Sequence, residues 1–534
     1  MAPDSTSSAT LRLSTRKTSG LVRQVSTLDT ARYSITQIAI QFVFLITAAW
    51  VFYPGASMEW ATVFVVLGSG LVGIVYGLFA SVYARSGGEY VFVSRALHPL
   101  LGFAASFSLT FWMAWSAGTN AAILSIYTLA PTVSALGLQV HSAGLTSLGT
   151  FIGSHTGLFT IGMVVMVLST LGLIFGMRIY FRAQKWIFVI AGISLAVTLV
   201  VLILGATHVL DFRSHLDSIA GTGAYDRVIA SAQHLGANLH PGLGFAPTLN
   251  FGIWPAESLL FGLLAASFAG EVRNPARNQL FGIVGGMVIS GIALVLVELL
   301  AHIAIGSEFL RASSYLASND PSKLPIPSGQ LSLLISILGG SPVLTVIINL
   351  WFIGLEILLP AACIIYSSRC MLAWGIDGSA PVSFSEVSQR FRTPTVAIVI
   401  SFVIGAVTLG LFVYTSLFTV LSALIAQSIT FILVAIGGIV FPYRHRRLYE
   451  ASPARLTVAG RPLMALAGVG GTAFLAFIIF RAFVDDHAGV NSKSGLITSG
   501  VVFVIGIVWF FAVRLIRKRQ GVDLDLRMKE IPIE

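Results

Sequence analysis

The sequence predicts an all-α integral membrane protein of about 12 transmembrane helices, and three observations carry that prediction. Of the 534 residues 56% are apolar and only 10% are charged, against roughly 25% charged in soluble domains, so no water-soluble core could absorb so much apolar side chain. Runs of about 20 apolar residues recur between residues 33 and 513, each long enough to cross a hydrocarbon layer about 30 Å thick as a helix. Basic residues gather in alternate connections between these runs, the positive-inside pattern of a multi-pass chain.

Residues 1–32 hold no apolar run and are rich in Ser, Thr and basic side chains, so they read as a disordered cytoplasmic tail without a cleavable secretory signal. Helices are then expected at 33–54, 59–83, 98–131, 156–176, 183–207, 250–269, 279–305, 343–375, 393–411, 415–441, 462–481 and 495–513. With both termini in the cytoplasm, only Arg213, Arg227, Arg311, Lys323, Arg481 and Lys493 of the 32 Lys and Arg fall outside. That asymmetry supports the helix count and a cytoplasmic membrane location. The long segments 208–249 and 306–342 then lie outside, with a helix over 331–338 expected to rest on the membrane surface. Residues 442–461 form a cytoplasmic basic loop, and 514–534 a cytoplasmic C-terminal tail.

Splitting the first ten helices into 33–207 and 250–441 puts a first helix interrupted by small or breaking residues at the start of each half. In one half this is Thr47-Ala48-Ala49 followed by Pro54-Gly55, in the other Pro255-Ala256-Glu257-Ser258 followed by Gly262. Five is odd, so the halves have opposite topology: two inverted five-helix repeats, with the helices of 462–513 as two extra.

Several classes are set aside. The net charge of +10 is spread over separate loops rather than one basic face, which argues against a nucleic-acid partner. Cys363 and Cys370 lie about 10 Å apart along one helix, too far for a disulfide. No His-Glu-x-x-His, metal-spaced Cys and His set, Gly-x-Ser-x-Gly elbow or phosphate loop occurs, so no catalytic residue, metal site or cofactor is expected.

At Tyr83-Ala84-Arg85-Ser86-Gly87-Gly88-Glu89-Tyr90-Val91-Phe92 the chain resembles the amino acid-polyamine-organocation (APC) superfamily of permeases, which carries a similar Ser-Gly-Gly-Glu-Tyr signature after its second helix. Gly270-Glu271-Val272-Arg273-Asn274-Pro275, Ser368-Arg369 with Asp377-Gly378 and Pro381, Thr393-Pro394, and Phe441-Pro442-Tyr443-Arg444 are similar to further family segments in the same order. The resemblance implies inverted repeats with broken first and sixth helices and an amino acid held between the breaks. There are departures: Leu78 stands where an acidic residue is usual, and Thr47-Ala48-Ala49 replaces a Gly-rich break. In the fifth helix, Ile190-Ala191-Gly192-Ile193-Ser194 offers no Lys. Transport of an amino acid is expected, by symport with H+ or Na+ or by exchange, the alternatives being transport of polyamines or other organic amines and a non-transporting membrane sensor.

A broken membrane helix frees N–H and C=O groups that lipid cannot satisfy. Thr47, Ala48, Ala49 and Trp50, with Glu257, Ser258, Leu259 and Leu260, are therefore the expected binding strips, taking a carboxylate on freed N–H groups and an ammonium on freed carbonyls. Carboxyls inside spans cost roughly 2.5 to 3.5 kcal/mol on insertion scales, so Glu257, Glu298 and Glu356 each need a partner, a proton or water. Glu257 is expected to matter more for binding than Glu356, and Glu298 to reach the outer interface beside His302. Trp112, Trp115, Asn120, Asn349 and Trp351 are further cavity candidates, and Gly87 and Gly88 a cytoplasmic gate. Oligomeric state is not legible.

Overall fold

Ser26 opens the first helix at Thr27, ahead of the expected residue 33, through a capping box: its hydroxyl accepts from the Asp29 amide, and the Asp29 carboxylate accepts from the Ser26 amide at 3.2 Å. The first two turns are polar, so hydropathy alone places the start too late. The computed structural model describes residues 21, 23–415 and 423–530. Most of the expected tail over 1–32, the entry to the tenth helix and the last four residues lie outside these.

Among the described residues twelve helices are long and apolar enough to cross a bilayer. They are α1 (Thr27–Phe52), α2 (Met58–Val82), α3 (Pro99–Gln139), α4 (His155–Ile174), α5 (Met177–Ala206) and α6 (Phe245–Ser267). The others are α7 (Pro275–Ile305), α8 (Pro342–Asp377), α9 (Thr395–Tyr414), α10 (Leu424–Arg444), α11 (Leu463–Val484) and α12 (Lys493–Arg519). Their apolar windows are buried to 89% in α1 and 78% in α6, against 28% in α5 and 22% in α12. So α1 and α6 form the centre, while α5 and α12 present side chains to lipid.

Small residues set the close packing around that centre, as expected where helices share no hydrophobic drive against lipid. A Cβ on Gly282 or Gly286 of α7 would meet Thr30 or Ser34 of α1 at 2.6 and 2.7 Å, and one on Gly77 of α2 would meet the Leu280 backbone at 2.6 Å. The helix predicted to lie on the membrane surface does not. Leu331–Gly339 is buried at every residue, because its apolar side chains point all round and its two serines find partners inside. Ser332 donates to the Tyr127 carbonyl at 2.9 Å, and the Ser336 hydroxyl accepts from Asn349 at 2.8 Å.

Candidate functional site

Two central helices lose α geometry, and they lose it facing each other. In α1 the break falls at Ala39, whose φ of 54° and ψ of 71° are left-handed; a single turn of 3₁₀ helix, Ile40–Phe42, follows before α geometry resumes at Val43–Ala49. In α6 the α-helix ends at Leu260 and continues as a 3₁₀ stretch, Phe261–Ser267, a length unusual for that geometry. The breaks are joined by reciprocal hydrogen bonds. Ser258 donates to the carbonyl of Ile38, and Ser34 donates to the carbonyl of Gly262 at 2.9 Å. Each serine thereby satisfies a carbonyl beside the other helix's break.

Around this crossing lie two narrow cavities. One of about 20 Å³ is bounded by Gln37, Ala39, Asn120, Ser258, Phe261 and Cys363. The other, about 10 Å³, is bounded by Gln41, Phe42, Tyr127, Thr128 and Glu356. Either holds about one water, less than any amino acid fills, so the space between the breaks is closed. The Glu356 carboxylate accepts from the Gln41 amide, and its other oxygen has no protein partner. Pro360 lies inside α8 four residues on, and having no N–H it leaves the Glu356 carbonyl without its helical donor. Thr128 sits in a π-helical turn, Leu124–Leu129, just before Pro131, which likewise withholds a donor.

Both ends of the centre are sealed. On one face the Arg311 guanidinium lies 3.6 Å from the Trp50 ring centroid, beneath an open vestibule of about 460 Å³. Burial pushes the Arg311 pKa down to about 10. On the face carrying Gln24 and Glu530, near the ends of the described chain, Arg95 pairs with Asp377 at 2.6 Å and Arg369 with Glu271 at 2.9 Å, all four buried. Removing one partner of such a pair strands a buried charge, at a cost of about 3–5 kcal/mol. The Gly87 amide donates to the Ser267 carbonyl at 2.8 Å. A Cβ on Gly87 would meet that of Ala373 at 2.6 Å, at a φ of 108°, so the Gly87-Gly88 loop clamps the end of the α6 break to α8. Glu89 follows, buried under the Tyr366 hydroxyl. Burial raises its pKa to about 7, the Tyr366 hydrogen bond working against the rise.

The residues named from sequence separate into two groups. Ser258 and Asn120 meet at one cavity and Glu356 lines the other. Thr47, Ala48 and Ala49 lie beyond the break on regular α-helix, the Thr47 hydroxyl donating to Val43 at 2.8 Å, and Trp50 belongs to the seal with Arg311. The α1 break therefore falls at Ala39, earlier than composition suggested, because an alanine held left-handed leaves no compositional trace. Glu257 accepts from Gln427 of α10 at 2.7 Å. Leu259 and Leu260 are core residues. Trp112 packs on Trp115 with ring centroids 5.3 Å apart, Trp351 donates to Thr198 at 3.1 Å, and Asn349 ties α8 to Leu331–Gly339.

Glu298 does not reach the outer interface. It is buried and accepts from Thr62 of α2 at 2.9 Å, while His302 pairs instead with Glu59 at 3.0 Å. Gln37 and Gln41 went unremarked in the sequence. With Ser34 they make a polar stripe at helical spacing through an apolar run, the signal that would have located the site.

A family model described as amino acid permease matches residues 26–510. No curated protein matches the chain.

Proposed function

The chain belongs to the amino acid permease family, and from that premise we propose that it is a secondary active transporter carrying an amino acid across the cytoplasmic membrane by alternating access. The family and the twelve apolar helices make it a multi-pass membrane protein and point to a transporter of amino acids or related organic solutes. The finer reading places the substrate between Ala39 and Phe261, within two inverted five-span repeats and with both termini cytoplasmic. One observation carries it: the two breaks face each other across the Ser258–Ile38 contact, beside cavities sealed on both sides.

Opening either seal would widen this space and expose Gln37, Gln41, Asn120 and Glu356 to a zwitterion. Freed carbonyls and the Glu356 carboxyl suit an ammonium group, and amide donors suit a carboxylate. Glu356 is also a candidate for ion coupling, since one of its oxygens lacks a protein partner and can carry a proton. A polyamine or other organic amine is the second reading. It is favoured by Glu356, the carboxyl that lines one of the central cavities. Liposomes containing only this protein should take up a radiolabelled amino acid saturably, faster when loaded inside with the same amino acid. Saturable uptake of amines alone would select the second reading, and no saturable uptake of either would reject both.

A further inference from the structure

We propose that the cleft between the α4–α5 elbow and the α8–α9 connection is a binding site for a phosphate-bearing anion, either the headgroup of an anionic lipid or free phosphate. The cleft encloses about 450 Å³ on the face that carries the ends of the described chain, and Arg178, Arg390 and Arg392 line it together. None of the three has an ion-pair partner among the described residues. The single carboxylate on its wall, Glu271, is already paired with the buried Arg369. Three like charges around one concavity repel one another, and an anion bound among them relieves that repulsion. Guanidinium groups match phosphate oxygens in bidentate geometry.

The Arg178 side chain and the backbone that carries Arg390 and Arg392 are held in place. The Arg178 Nε donates to Gln24 at 2.9 Å, and the connection carrying Arg390 and Arg392 is closed by the Arg392 amide donating to the Ser388 carbonyl at 2.9 Å. That connection is fastened to the elbow by Thr393, which donates to the Ile174 carbonyl at 3.1 Å, and by Phe391 against Phe175 with centroids 5.5 Å apart. Gly176 and Met177 also line the cleft. The N-terminus of the 30-residue α5, which has no side-chain cap, therefore opens onto it and adds its positive end.

The surroundings point to a lipid as one source of the phosphate. From the cleft, α5 presents Ile179, Trp186 and Ile193 on one exposed face at heptad spacing, an apolar track for acyl chains below a bound headgroup. Its basic lining and adjacent apolar track together resemble neither the sealed centre nor the outer vestibule. The site does not depend on what the permease carries.

The purified full-length protein, titrated in detergent with phosphatidylglycerol, phosphatidylcholine of the same chains or inorganic phosphate, tests this through its thermal unfolding. Phosphatidylglycerol should raise the unfolding temperature saturably where phosphatidylcholine does not. The half-saturating concentration should rise at least about ten-fold in Arg178→Gln/Arg390→Gln/Arg392→Gln. Arg444→Gln/Arg447→Gln, on exposed residues of the same face, should leave it unchanged. An equal response to inorganic phosphate, lost in the triple variant, would support the site with free phosphate as its ligand. Should the triple variant fold poorly, native mass spectrometry of Arg390→Gln/Arg392→Gln should show fewer retained phosphatidylglycerol molecules than wild type. Retention undiminished in that variant, an equal loss in the Arg444 and Arg447 control, or no response to either phosphate probe overturns the proposal.

Discussion

Ser258 of α6 donates its hydroxyl proton to the carbonyl of Ile38, the residue immediately before the left-handed Ala39 in α1. Ser34 of α1 completes the exchange by donating to Gly262 inside the 3₁₀ stretch of α6. Each break thus depends on the other, and Ser258→Ala should leave a buried carbonyl without a donor. A loss of about 1–3 kcal/mol is expected, read as a lower unfolding temperature of the purified protein. The Ser34→Ala/Ser258→Ala double variant should lose more than either single variant. A double variant as stable as wild type would show that water or a shifted backbone replaces both bonds.

Ala39 gives the second prediction. A non-glycine residue in left-handed geometry carries roughly 1–2 kcal/mol of strain, so Ala39→Gly should hold stability or raise it by up to about 1 kcal/mol despite glycine's freer unfolded chain. Ala39→Val, with a branched Cβ, should lower both stability and uptake. Ala48→Leu, on regular helix, should leave uptake near wild type. Loss of uptake in Ala48→Leu with normal uptake in Ala39→Val would return the site to the strip around Thr47.

The carboxyls are expected to divide in the opposite sense from the sequence-based expectation. Glu356 lines a cavity at the α1 break and has an oxygen without a protein partner, whereas Glu257 is engaged with Gln427 and borders neither central cavity. Glu356→Gln should therefore either abolish substrate-dependent thermal stabilisation or, if Glu356 only carries a proton, keep exchange and lose accumulation driven by a pH gradient. Glu257→Gln should keep both. A Glu356→Gln protein that binds and accumulates like wild type would assign this carboxyl to structure.

Glu89 predicts a pH dependence. Its pKa in the folded protein, about 7, stands above the usual carboxyl value near 4.3, so folding favours the protonated form. The contribution is fully present below about pH 4.3 and is lost as pH rises through about 7, by up to ~4 kcal/mol. Thermal unfolding between pH 4 and 8 should show this decline in wild type and a flatter profile in Glu89→Gln, which keeps an acceptor for Tyr366. Parallel profiles would mean that Glu89 stays charged throughout.

Span number was legible because it is written in composition, as twelve separate apolar runs. The α6 break was legible to within a turn, since Pro255, Glu257 and Ser258 disturb an apolar run. Ala39 was not, because its conformation is imposed by packing around Ser34, Gln37 and Ser258 rather than by its own chemistry. Glu298 was misplaced for a related reason: hydropathy gives depth along a helix but not which neighbour the residue faces, and Thr62 of α2 supplies the partner. Leu331–Gly339 shows the same limit, since an apolar nine-residue helix can lie on a membrane or be buried in protein, and only the partners of Ser332 and Ser336 decide.

Cys363 offers the most direct measurement, because it lines the cavity with Ser258 and Asn120 while the second cysteine, Cys370, lies two turns away in α8. In a Cys370→Ser background Cys363 is the single thiol, and a small permeant alkylating reagent should reach it only when the centre opens. The transported amino acid should slow its modification, with half-protection at the concentration that half-saturates uptake. A substrate that is carried saturably yet leaves the rate of Cys363 modification unchanged would contradict a binding site between the two breaks.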